Sequence, residues 1–203
     1  MTAKERLDRN FNVLYTILWP IFHVLFPMRV IGWENIPDGP VVICPNHTKW
    51  NDPFYIAFAF TKRFPMRAMA KAEIIRWPIV GPVLAWAGVF GVERGSADVK
   101  AVKTALKHLK EGSKLLLFPE GTRVHDGEQA DAKTGAALFA TRSNVPLLPV
   151  FIQPGKRLFH RTCIVIGTPY MAEYEGRKPT TEELQTIADD LMVRVHQLGE
   201  AVS

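Results

Sequence analysis

Cysteine is nearly absent. The 203 residues include only Cys44 and Cys163, neither of which has a partner at ligand spacing or a histidine cluster beside it. A disulfide scaffold and a zinc site are therefore not expected, nor is any other metal. Both cysteines lie in apolar runs (VVICP and TCIVIG) and read as reduced core residues. Internal repeats and low-complexity tracts are also missing, which excludes solenoids and propellers. There is no GxSxG-type motif to supply a serine nucleophile. Excess charge is modest: 25 Lys+Arg stand against 20 Asp+Glu, a net +5. No aromatic–basic platform surrounds the basic residues, so nucleic acid is not an expected partner. An anionic membrane surface, a phosphorylated lipid or an acidic carrier protein suits that charge equally well.

With 47% hydrophobic and 22% charged residues, global disorder is excluded, and the length suits one folded unit with a sizeable core. The apolar stretch Phe11–Met28 carries no formal charge. It is barely long enough to cross a bilayer, which needs about 20 apolar residues. Pro20, His23 and Asn12 weaken a spanning reading, Tyr15 and Trp19 favour interfacial depth, and no small-residue cleavage site follows. The stretch is read as helix–break–helix, broken at Pro20 and dipping into one leaflet. A buried helix pair and a true span are the alternatives. Residues 1–28 are thus expected to be a membrane-associating segment and 29–203 an α/β domain.

From Arg29 onward short apolar runs alternate with helical periodicity. Strands are expected at 29–33, 41–45, 66–70, 88–92, 114–118, 146–152 and 162–167, and helices near 53–62, 97–111, 133–142 and 180–199. The alternation predicts an α/β fold with a central, mostly parallel sheet of about seven strands flanked by helices. The 97–111 helix is expected to be capped by Ser96 and stopped by Gly112. Val99, Val102, Leu106 and Leu109 form its apolar face, and Lys100, Lys103, Lys107 and Lys110 form a basic one. That basic face suits either water or an acidic partner.

Three motifs sit where strands end, the edge at which parallel sheets gather their chemistry. In PNHTKWNDP (45–53), His47 follows a buried strand and Asp52 precedes Pro53, so Asp52 can cap the next helix. It can also reach back across the loop to fix the imidazole tautomer of His47, as a base that deprotonates a substrate hydroxyl requires. In GVERG (91–95), Gly91 and Gly95 allow close backbone approach, and Glu93 precedes Arg94. In FPEGTR (118–123), Gly121 permits a tight turn, Thr122 offers a hydroxyl, Arg123 has a planar fork suited to phosphate, and Glu120 can orient an arginine. A base beside two arginines points to a hydroxyl on a phosphate-bearing substrate.

These residues resemble the glycerolipid acyltransferase family, bacterial 1-acyl-sn-glycerol-3-phosphate acyltransferases in particular. His47 and Asp52 match the family's His-x4-Asp, while Gly91, Glu93, Arg94 and Gly95 match its Gly-Arg element. FPEGTR is intact, and VPLLPV (145–150) with Pro149 matches its fourth, apolar motif. KAE (71–73) and KTGA (133–136) also look like family positions. VHDGEQA after Arg123 departs from the pattern, since many relatives carry a Ser and a more basic stretch there. The resemblance covers about residues 30–170.

It implies transfer of a fatty acyl group from acyl-carrier-protein or coenzyme A thioester to the sn-2 hydroxyl of lysophosphatidic acid, yielding phosphatidic acid. His47 and Asp52 would be catalytic; Gly91, Glu93, Arg94, Glu120, Gly121, Thr122, Arg123 and Pro149 would bind substrate. No cofactor is implied beyond the thioester. The enzyme would sit on the cell membrane, peripheral or monotopic, with its site facing the cytoplasm. Another lysolipid acceptor stays open. A non-catalytic module binding phosphatidic acid leaves the coexistence of His47, Asp52 and FPEGTR unexplained. The uncharged stretch 77–92 is either an internal core segment or a wall of the acyl-chain groove, with Leu84 or Trp86 setting chain length.

Overall fold

Each apolar run expected to be a strand forms one. The computed structural model of the protein describes residues 1–93, 98–121, 132–200 and 202. Its strands are β1 (Met28–Ile31), β2 (Val42–Pro45), β3 (Met66–Lys71), β4 (Val89–Val92), β5 (Lys114–Leu116), β6 (Leu147–Ile152) and β7 (Thr162–Ile166). They form a seven-stranded sheet in the order β1-β7-β6-β2-β5-β3-β4. Neighbours run parallel except for β6 and β7, so β2 to β6 all deliver their C-terminal ends to one edge.

The helices are α1 (Ala3–Leu25), α2 (Asp52–Phe60), α3 (Ala72–Ile75), α4 (Val80–Trp86), α5 (Val99–Lys110), α6 (Gly135–Ser143) and α7 (Thr181–Glu200). Alternation along the strands splits the core into two layers. Ile43, Leu116 and Leu148 face Tyr55, Ile56 and Phe60 of α2, with Phe11 and Phe22 of α1 behind them. Val42, Leu115 and Leu147 face Leu109, Phe139, Leu191 and Val195 of α5, α6 and α7. Burial on both faces is why the central strands read as continuous apolar runs rather than alternating ones.

The N-terminal segment differs from expectation. It is one helix of 23 residues, opened by a Thr2–Glu5 capping box and running through Pro20. A proline inside a helix costs about 3 kcal/mol, and here packing on both sides of it holds the helix together. Tyr15 lies edge-on to Phe58 with centroids 5.2 Å apart, while Phe22 packs on Phe58 at 4.7 Å and Tyr55 at 5.1 Å. The polar start of α1 is tied down as well. The fully buried Arg67 of β3 pairs with Asp8 and donates to the Lys4 carbonyl at 3.2 Å. Asn10 Nδ2 donates to the Trp86 carbonyl at 2.9 Å. Among the described residues no helix is long and apolar enough to cross a membrane. The outward face of α1 nonetheless leaves Ile17, Ile21 and Val24 exposed by 59%, 59% and 66%.

Smaller differences have local causes. Asp98, rather than Ser96, caps α5, its Oδ1 accepting from Ala101 N at 2.9 Å; Ser96 lies outside the described residues. Ala101, Ala105 and Leu109 form the buried stripe of α5, and Val99 is exposed. Of residues 77–92, the stretch 77–86 is not an internal core segment, because Trp77, Ile79 and Trp86 stay exposed and Leu84 is half-buried, whereas Ala87 is buried and 89–92 form β4. Both cysteines are free; Cys44 is buried, but Cys163 is only half-buried and lines a cavity at the β1–β7 edge.

Candidate active site

Strands β6, β2 and β5 are neighbours, so the loops at their C-terminal ends meet. Asn46 fastens the first two together: its Nδ2 donates to the Ile152 carbonyl at 3.0 Å and its Oδ1 accepts from Ile152 N at 2.7 Å. The next residue is His47, whose side chain is 13% exposed and whose ring packs 4.1 Å from that of Phe118. Asp52 begins α2, but its carboxylate does not cap that helix. Asn51 holds the cap position, and Asp52 Oδ2 turns back into the loop. There it accepts from Thr48 N at 2.7 Å and Lys49 N at 2.8 Å, and stands 3.0 Å from His47 Nδ1.

Asp52 is fully buried. Burial alone would raise its pKa, but the His47 contact, the ammonium of Lys156 and the Lys49 N–H together hold it below the ordinary carboxylate range. An ionised carboxylate can only accept hydrogen bonds. It therefore keeps the imidazole proton on Nδ1 and leaves the Nε2 lone pair as the basic position of the ring.

The β5 loop supplies the other side. Glu120 is buried, and its Oε2 accepts from His47 N at 2.9 Å. Gly121 turns the chain at φ +68°, and a Cβ there would stand 3.1 Å from Lys133 Cγ. Burial pushes Glu120 up to about 7; the Asp52 charge adds to this, while the His47 N–H and Lys156 oppose it. An unfolded glutamate has a pKa near 4.5. Between those values folding takes up a proton, so this group's contribution to stability falls as pH rises through the window, by at most about 1.4 kcal/mol per pH unit. Glu120→Gln keeps an acceptor for His47 N and is expected to flatten the slope of unfolding free energy between about pH 4.5 and 7. Urea titrations at stepped pH read this directly, and an unchanged slope would contradict it.

The other sequence candidates are dispersed. Gly91 lies within β4, and Glu93 is exposed and paired with Arg76. β4 is three positions from β2 in the sheet, about 14 Å at ordinary strand spacing. Pro149 is buried inside β6, opposite Cys44, where the β6–β7 ladder ends; its carbonyl accepts from Gly167 N at 2.9 Å. It does not join the polar cluster. Arg94, Thr122 and Arg123 lie outside the described residues. Lys71 of KAE pairs with Glu73 at 2.7 Å, and Lys133 of KTGA donates its N–H to the Pro119 carbonyl at 2.8 Å.

Two residues that sequence reasoning passed over belong here, Asn46 and Lys156. Lys156 follows β6 in QPGK, and its ammonium lies 2.6 Å from Asp52 Oδ1 and 2.7 Å from Thr48 Oγ1. A lysine at a strand end on the same sheet edge was the available signal. Among the described residues no group of three or more His, Cys, Asp or Glu side chains is arranged to hold a metal ion.

A histidine held by a buried carboxylate at the C-terminal edge of a parallel sheet can move a proton for an enzyme reaction. The chain belongs to the acyltransferase family, whose model, described as Acyltransferase, matches residues 27–153. It is 30% identical over 177 residues to 1-acyl-sn-glycerol-3-phosphate acyltransferase of Bacillus subtilis (strain 168), covering 84% of this chain and 87% of that one. Over 130 residues it is 34% identical to lyso-ornithine lipid O-acyltransferase of Pseudomonas aeruginosa, covering 63% of this chain and 47% of that one. The crystal structure of the 1-acyl-sn-glycerophosphate acyltransferase PlsC from Thermotoga maritima has the same fold, with a TM-score of 0.67 at 24% identity over 97% of this chain and 78% of that one.

Proposed function

We propose that the protein acylates the sn-2 hydroxyl of lysophosphatidic acid with a fatty acyl thioester, giving phosphatidic acid, and that His47 is the general base. The observation that carries this reading is the 3.0 Å contact of His47 Nδ1 with the buried Asp52. It leaves Nε2 to take the hydroxyl proton while the oxygen attacks the thioester carbonyl. The tetrahedral intermediate then collapses, breaking the C–S bond, and the leaving thiolate recovers the proton. A base of this kind contributes about 10²–10⁴-fold. The relative from Bacillus subtilis, matched over most of both chains, supports the acceptor.

Arg94 and Arg123 are proposed to grip the acceptor phosphate, since both follow strands that end at the edge bearing His47. The exposed Ile17, Ile21 and Val24 of α1, with Trp77 and Ile79, support docking on a phospholipid surface. The likeness to the lyso-ornithine lipid enzyme favours a second reading, in which the acceptor is a lysolipid without phosphate.

Detergent-purified protein supplied with lysophosphatidic acid and with acyl-carrier-protein or coenzyme A thioesters in parallel tests this. Phosphatidic acid should form, and the better thioester identifies the donor. Arg123→Ala is expected to raise the KM for lysophosphatidic acid with little change in kcat. An equal loss with a lysolipid that lacks phosphate would overturn the arginine assignment. No product from either thioester in folded protein would overturn the acceptor.

A further inference from the structure

Besides two loop N–H groups, Asp52 serves two side chains. Its Oδ2 faces His47 and its Oδ1 faces Lys156 at 2.6 Å. The Lys156 side chain is fully buried. Its ammonium donates to Thr48 Oγ1 at 2.7 Å, and its own carbonyl accepts from Lys49 Nζ at 2.7 Å, so the β6 loop and the His47–Asp52 loop lock each other. Lys156 also lies beyond the stretch matched by the family model, which ends at 153.

We infer that Lys156 is a positioning residue for the acyl transfer: its buried ammonium balances the charge of Asp52, so that His47 need not be protonated to do so and stays available as a base. The inference rests on the reading of His47 as general base. Its physical content is a competition for one carboxylate. A buried carboxylate with no other cation attracts a proton onto the imidazole beside it, and an imidazolium cannot accept the hydroxyl proton. With Lys156 in place, Asp52 still orients the ring and can stabilise the imidazolium while it exists, but it does not hold the proton there. Among the described residues the charged and titratable groups around the pair include Lys156, Lys49, whose ammonium donates to the Lys156 carbonyl, Tyr55 of α2, and Glu120 on the His47 N–H.

Lys156→Met is expected to move the acidic limb of kcat against pH upward by about one unit, within the range an adjacent charge produces. Below that limb kcat falls about tenfold, while the acceptor KM changes little. Lys156→Arg keeps the charge and should restore the wild-type limb. Because Glu120 is itself pushed up to about 7, both variants are compared again in a Glu120→Gln background.

A readout independent of turnover separates this inference from the functional one. The His47 ring nitrogens are followed by NMR against pH, with His47→Asn used to assign them. Their midpoint should rise in Lys156→Met and not in Lys156→Arg. If Asp52→Asn is already present, Lys156→Met should move it no further. Should Lys156→Met fail to fold, Lys156→Gln, which keeps hydrogen-bond donors without the charge, takes its place. An unmoved midpoint in a folded neutral variant overturns the role of Lys156. A midpoint that moves in the neutral variant, when the wild-type protein acylates no lysolipid, overturns the functional reading instead.

Discussion

Replacing His47 with alanine is expected to lower kcat for acyl transfer by about 10²–10⁴-fold while the protein stays folded. The separation follows from the surroundings. Without the imidazole, Asp52 keeps Lys156 and the N–H groups of Thr48 and Lys49, so no uncompensated charge is left in the interior. The ring itself is partly exposed and gives up chiefly its contact with Phe118. The acceptor KM should change little, because His47 acts on the proton rather than on the head group. Initial rates beside a thermal unfolding curve check both halves. A variant retaining more than a tenth of the wild-type kcat would remove His47 from the base position.

Asp52→Ala should behave differently, losing activity and stability together. Lys156 would then be a buried cation without its carboxylate, and breaking one side of a buried pair costs about 3–5 kcal/mol. The loop from His47 to Asp52 would also lose the acceptor that two of its N–H groups share. Urea unfolding at neutral pH should therefore rank Asp52→Ala well below His47→Ala. A ranking in the opposite order would mean that Lys156 finds compensation elsewhere. Because the Asp52 pKa is held below its unfolded value of 3.8, its contribution is present above about that pH and is lost as pH falls through the folded value. Asp52→Asn should lack that acid-side loss.

What the sequence made legible follows distance along the chain. The strands were readable because a strand buried on both faces writes itself as a local apolar run, as VVICP and PLLPVFI do. The His47–Asp52 pair was readable because five residues span it. Pro20 misled because its local preference was overridden by Tyr15 and Phe22 packing on a helix that begins at Asp52. Lys156 was hidden for the same reason in reverse: it lies 108 residues beyond Thr48, and only the neighbouring positions of β2 and β6 in the sheet bring them together. Asp52 carried two readings: its place before Pro53 marks a helix start, and of capping and reaching back to His47 its carboxylate takes the second.

The tether between Asp8 and Arg67 changes how the protein should be made tractable for handling in solution. An apolar N-terminus invites removal, but cutting α1 away would strip the cover from Tyr55 and Phe58 and strand the guanidinium of Arg67 in the interior. The product would expose more grease than it lost. Solubility is better sought by changing the outward residues Ile17, Ile21 and Val24 to polar ones, which leaves the inner face of the helix on α2. Such a protein should come out of detergent intact, and how much lipid binding it retains would report what that outer face contributes.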